Sequence, residues 1–131
     1  KIGVKAGPLM AATDHFTINI HGKTAHGAKP NQGIDAVVLG SQFVMAAQTI
    51  VSRKVDPLDN AVVTFGIFNA GTRYNIIAGD CTLDGTVRTL NEDTRAMIED
   101  SMRKTLDGLC LQSGATADIN YGHGYPALVN H

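Results

Sequence analysis

Histidine, asparagine and arginine side chains stand at three places in this sequence where their type and surroundings suit chemistry. The first is His26, in the run Gly22-Lys23-Thr24-Ala25-His26-Gly27-Ala28-Lys29-Pro30. Small residues on both sides let another molecule approach the imidazole, and a loop can deliver it to a site outside its own domain. The same run also fits a surface histidine in a flexible turn. The second is Asn75, in a long connection between two strand-like segments. An amide there can hold a ligand, or it can simply bond its own backbone as turn asparagines do. The third is Arg88, whose guanidinium can grip a carboxylate with two parallel hydrogen bonds. It can equally pair with Asp84 on the same face.

The five histidines, His15, His21, His26, His123 and His131, raise the question of a metal. His15 and His21 share a face of one strand but lie too far apart along it to bind one ion. A zinc site needs three or four converging ligands, and the spacing supplies none, so no metal site is expected within the chain. There is also no Gly-rich phosphate loop, no Gly-x-Ser-x-Gly elbow and no His-Glu-x-x-His.

The elements that must position these groups are legible from periodicity. Residues 14–21 alternate, with Phe16, Ile18 and Ile20 on one face and Thr17, Asn19 and His21 on the other, which predicts a half-buried strand. A turn-rich loop, 22–33, leads to a helix over 34–53, with Asn31 as a possible cap and Asp56-Pro57 beyond its end. Val37, Val38, Leu39, Phe43, Val44, Met45, Ile50 and Val51 cover more than one stripe of that helix. A domain this small has no core large enough to bury two sides, so the second side predicts a partner surface.

Two strands follow, 60–70 and 80–90, joined by the connection 71–79 that holds Asn75. In the second strand Cys81, Leu83, Gly85 and Val87 face inward while Thr82, Asp84, Thr86 and Arg88 face out. A second helix, 92–113, carries acids in its first turn, a stripe of Ile98, Met102 and Leu109, and Gly114 as its stop. A last strand, 115–121, turns Ala117, Ile119 and Tyr121 inward. The order βαββαβ predicts an α+β fold of ferredoxin-like type, a four-stranded antiparallel sheet with two helices on one face.

Composition agrees with a single domain over residues 1–131, with 44% hydrophobic and 18% charged residues. A net charge of -1 without a Lys/Arg cluster argues against nucleic acid. No apolar run is long enough for a membrane helix and no signal peptide opens the chain, so a soluble protein is expected. Cys81 and Cys110 are expected to be buried free thiols, consistent with a reducing cytoplasm. Lys1 stands where an initiator Met would, and the chain stops at Leu128-Val129-Asn130-His131 without a polar tail. Both ends are read as cut from a longer polypeptide.

Taken together, these motifs resemble the inserted dimerisation or lid domain of the zinc-aminoacylase type of metallopeptidase. That family includes aminoacylases, hippurate hydrolases, indoleacetyl-amino-acid hydrolases and carboxypeptidase G. The likeness runs from Asp14 through Tyr125-Pro126. It rests on the His26 loop, on Gln48-Thr49-Ile50-Val51-Ser52-Arg53 followed by Asp56-Pro57-Leu58, on Ala70-Gly71-Thr72 leading to Asn75, and on Gly85-Thr86-Val87-Arg88-Thr89. One departure is Asn75-Ile76-Ile77-Ala78, where relatives read Asn-Val-Ile-Pro. Losing the proline frees a backbone angle, which predicts a looser connection.

The resemblance implies a role for each of the three residues. His26 matches a lid histidine that crosses a dimer to stabilise the scissile carbonyl as it becomes an oxyanion, and Asn75 and Arg88 match residues that hold the substrate's free carboxylate. It implies a homodimer formed through the first helix (34–53) and an edge strand. It further implies that two divalent metal ions, zinc, manganese or cobalt, belong with a general-base glutamate to a flanking catalytic domain, leaving this domain inert alone. The competing reading is a stand-alone ferredoxin-like regulatory module that binds a small molecule. An RNA reader is disfavoured because residues 80–90 carry no stacking aromatic.

Overall fold

The structure, a computed structural model, describes residues 9–124 and 127–129. Tyr125, Pro126 and His131 lie outside them. Five strands and two main helices follow in the order β1 (Leu9–His21), α1 (Ala36–Thr49), β2 (Ala61–Ala70), β3 (Asp80–Thr89), α2 (Glu92–Ser113), β4 (Thr116–Gly122) and β5 (Ala127–Val129). Four strands form an antiparallel sheet in the order β2-β3-β1-β4, and β5 pairs with the start of β1. Both helices pack on one face, which is the ferredoxin-like α+β arrangement.

The alternation that marks β1 and β3 decides which face is covered. Phe16, Ile18 and Ile20 of β1 and Cys81, Leu83 and Val87 of β3 are buried under the helices. Phe16 and Phe43 each meet the Phe65 ring edge-on, at centroid distances of 5.2 and 5.9 Å, so sheet and α1 share one aromatic cluster. Gly85 is required at its place, because a Cβ there would come within 2.5 Å of the Phe16 ring and 2.1 Å of the Thr64 carbonyl oxygen. Cys81 is buried, and burial pushes its thiol up to about 11; Cys110 is only half-buried.

Helix boundaries follow capping chemistry. Asp35, not Asn31, caps α1: its Oδ1 accepts from Val37 N–H at 3.0 Å and Val38 N–H at 3.4 Å. Asn31 instead lies in a short 3-10 turn, Pro30–Gln32. The helix ends in a π-helical turn, Ile50–Lys54. Asn91 caps α2 through Asp93 and Thr94 N–H, and Gly114 closes it at φ 83° in the left-handed region.

Two features depart from expectation. Strand β1 begins at Leu9, five residues before the alternation becomes legible, because Leu9–Ala11 pair with β5. The other is Asp14, which shares the buried face of β1 with Phe16. Its carboxylate is held by two parallel hydrogen bonds from Arg95 at 2.9 and 2.7 Å, and by Gly124 N–H at 2.9 Å. Arg95 also donates to the Gly124 carbonyl at 2.7 Å, so this cluster fastens the chain leaving β4 to β1.

Candidate functional site

The loop after β1 and the connection after β2 are stitched together at one end of the sheet. Gly22 N–H donates to the Gly79 carbonyl at 2.7 Å, Ile77 N–H to the Ala25 carbonyl at 2.8 Å, and Gly27 N–H to the Asn75 carbonyl at 2.8 Å. His26 and Ile76 form an isolated antiparallel bridge. Ala78, buried, accepts from Ala36 N–H at 3.0 Å and so ties the connection to the start of α1. The freedom expected from Ala78 is taken up by these bonds, and the connection is pinned despite lacking proline.

His26 is exposed. Its Nδ1 accepts a hydrogen bond from Ala28 N–H at 3.0 Å, which leaves Nε2 as the free ring nitrogen among the described residues. Asn75 is half-buried, and its Oδ1 is buried without a hydrogen-bond partner among the described residues. An unmet buried acceptor costs about 1–3 kcal/mol, and the Thr89 and Tyr121 hydroxyls elsewhere in the fold are unmet in the same way. Asn75 also lines an open depression of about 620 Å³, walled by Gly27, Val37, Arg73 and Tyr74.

Arg88 lies exposed on the uncovered face of β3, as alternation predicts. Among the described residues it forms no ion pair. Asp84 is taken by His15 and by the Thr17 hydroxyl instead. Arg88 pairs in register with Thr13 and Val62, whereas the His26 loop and the Asn75 connection flank His21 and Asp80 at the other end. Eight residues of β3 separate Asp80 from Arg88, a span of about 26 Å at the rise of an extended strand. The structure brings His26 and Asn75 together and sets Arg88 apart.

The other histidines among the described residues are engaged by carboxylates, His15 and His21 by those of neighbouring strands and His123 by one on α2. His21 Nδ1 meets Asp80 at 3.0 Å and its Nε2 meets Asp118 at 3.1 Å. The bond to Asp80, then that to Asp118, holds the His21 imidazolium above its ordinary value of 6.5. His123 pairs with Glu99. Among the described residues no three His, Cys, Asp or Glu side chains converge as they would around a metal ion. These residues do not fit a resident metal. Nor is any helix among them long and apolar enough to cross a membrane.

Residues 13–113 match the sequence profile of the peptidase dimerisation domain. The chain belongs to that family. The chain is similar to named amidohydrolases and deacetylases. The chain is 42% identical over 131 residues to an N-acyl-L-amino acid amidohydrolase of Geobacillus stearothermophilus, covering all of this chain and 35% of that protein. It is 41% identical over 127 residues to an N-acetyldiaminopimelate deacetylase of Ligilactobacillus salivarius, covering 95% of this chain and 33% of that protein. Among solved structures, the YXEP protein of Bacillus subtilis is described as a dinuclear metal binding peptidase of the M20 family. It superposes on this dimerisation domain with a TM-score of 0.69 and 31% identity, over 98% of this chain and 30% of that one. The domain thus spans about a third of the length of the curated relatives it matches.

Proposed function

We propose that this dimerisation domain serves a metal-dependent amidohydrolase acting on N-acyl amino acids, and that it supplies substrate clamps to a catalytic site carried by the rest of the protein. The observation that carries this reading is the family match over residues 13–113, joined to a 42% identical relative named for that reaction. Metal ions, zinc, manganese or cobalt, would belong to that remainder, where they supply Lewis-acid polarisation of the scissile amide. The domain alone is inert in this reading.

The domain's own residues divide the work. The free Nε2 of His26 meets the scissile carbonyl oxygen as negative charge gathers on it. A donor so placed is worth roughly a hundredfold to a thousandfold in rate. Asn75 and Arg88 hold the substrate's free carboxylate, Arg88 as a two-pronged cation and Asn75 without adding charge.

A small substrate cannot span the about 26 Å between the two ends of β3. The three residues therefore meet only across a homodimer. Edge strand β2 and the outer side of α1 offer the interface: Val37, Val38 and Met45 are 44%, 51% and 69% exposed, and Phe68 on β2 is 40% exposed. A twofold axis that pairs β2 with its copy makes them antiparallel. The Val62 end of one sheet, which carries Arg88, then lies beside the Ala70 end of its mate, where the connection to Asn75 begins. One protomer contributes Arg88 to a site and its partner contributes the His26 and Asn75 pair.

The test is an assay of the complete protein on N-acyl amino acids with added zinc, manganese or cobalt. His26→Ala should lower turnover strongly at unchanged metal content. Near-normal turnover would remove His26 from the site.

A further inference from the structure

The His26 imidazole has one nitrogen committed and one free. Ala28 N–H donates to Nδ1 at 3.0 Å. The amides on either side are fixed as well: Gly27 N–H is on the Asn75 carbonyl at 2.8 Å, and Lys29 N–H is on the carbonyl of His26 itself at 2.8 Å. Three consecutive amides have assigned partners, so the turn cannot rotate without breaking one. A neutral imidazole carries one N–H and one lone pair, and a nitrogen that accepts a hydrogen bond does not carry the proton.

We propose that the 26–29 turn is a tautomer lock: the Ala28 amide confines the proton of neutral His26 to Nε2, and so presents the ring to substrate as an N–H donor and not as a base. This rests on the reading that His26 meets the substrate's carbonyl oxygen. It adds which nitrogen does so, and it makes the main chain of Ala28 a positioning group. An oxygen that gathers charge in the transition state is best met by a donor oriented beforehand. The lock provides that donor without moving a proton. A ring turned over about its Cβ–Cγ bond would lose the Ala28 contact, so the lock fixes orientation together with tautomer.

The test reads the ring directly. In protein labelled with 15N at histidine, the His26 resonances should show Nδ1 as the unprotonated and Nε2 as the protonated nitrogen. Replacing the Ala28 amide by an ester, through the α-hydroxy-acid analogue of alanine, removes the N–H and weakens only the Gly27 carbonyl as an acceptor, which takes no hydrogen bond among the described residues. The tautomer ratio should then relax by about threefold to tenfold, the size of one ordinary hydrogen bond. In the complete enzyme the ester should lower kcat with little change in KM. A proton on Nδ1, or a tautomer ratio identical in the amide and ester proteins, would overturn the lock. That result is separate from the fate of the functional reading: normal turnover of His26→Ala defeats the reading, while the ring resonances of the unsubstituted protein still decide the lock.

Discussion

Gly27 donates its backbone N–H to the Asn75 carbonyl at 2.8 Å, and it can do so only because it has no side chain. A Cβ on Gly27 would lie 2.9 Å from that same oxygen and 3.3 Å from its carbon. The contact is the one of three backbone bonds between the two loops that ties the residue after His26 to Asn75 itself. Gly27→Ala should push the two loops apart and lower turnover of the complete protein by about 10- to 100-fold, because small misplacements of a positioned group are costly. The melting temperature should fall far less. Steady-state kinetics beside a thermal melt checks this, and unchanged turnover would show that the two loops need not touch.

Asp14 and Arg95 form the buried ion pair of the fold, with side chains 0% and 11% exposed. Arg95→Ala leaves a buried carboxylate without its cation and should cost about 3–5 kcal/mol in a denaturant titration. Burial raises the Asp14 carboxyl, but the Arg95 and Gly124 hydrogen bonds outweigh it and hold the group below its ordinary 3.8. A depressed carboxylate stabilises the fold above its unfolded value and loses that contribution as pH falls through its folded one. Acid titration should therefore show a loss of stability below about pH 3.8 that Arg95→Ala largely lacks.

His21 titrates with the opposite sign. Its folded value is raised above 6.5 by Asp80 and Asp118. Its contribution is full below 6.5 and disappears as pH rises through the folded value. Because the pair is solvent-exposed the effect should be small. NMR titration of His21 in the protein and in Asp80→Asn should show the midpoint moving down toward 6.5 in the variant. An unmoved midpoint would mean that Asp80 does not hold the ring.

Much of this was legible in the sequence. Phe16, Ile18 and Ile20 declared one face of β1, and Arg88 was placed outward by the same period of two. Val37, Val38 and Met45 marked the second side of α1 because no core this small could bury them. Boundaries were less legible. Asn31 and Asp35 are both capping types, and only the turn begun by Pro30 shows which one starts the helix. Strand β5 is three residues long and carries no period, so its pairing with β1 had no local signal. The Asp14–Arg95 pair left a usable clue, since a carboxylate in phase with Phe16 on a buried face requires a cation, but its partner lies 81 residues away. The separation of Arg88 from Asn75 follows from the length of one strand, but that the His26 loop joins the Asp80 end follows from the pairing of His21 with Asp80, which spacing along the chain does not reveal.

The proposed interface through α1 and β2 predicts that charge on the outer side of the helix separates the protomers. Met45→Glu, at a side 69% exposed in one chain, should turn a dimer into a monomer at micromolar concentration in equilibrium sedimentation while the circular dichroism spectrum is kept. A dimer of unchanged affinity would place the interface elsewhere.

The central claim is that each site takes Arg88 from one protomer and His26 from its mate, and complementation between two inactive variants tests it most directly. The complete protein carrying His26→Ala is mixed and reassembled with the one carrying Arg88→Ala, each assayed alone at sub-saturating substrate as a baseline. In a mixed dimer one site collects both substitutions and the other collects neither, so random exchange should restore roughly a quarter of wild-type activity. If the mixture shows no more activity than its two components, His26 and Arg88 serve the same site from the same chain, and the shared site proposed here is contradicted.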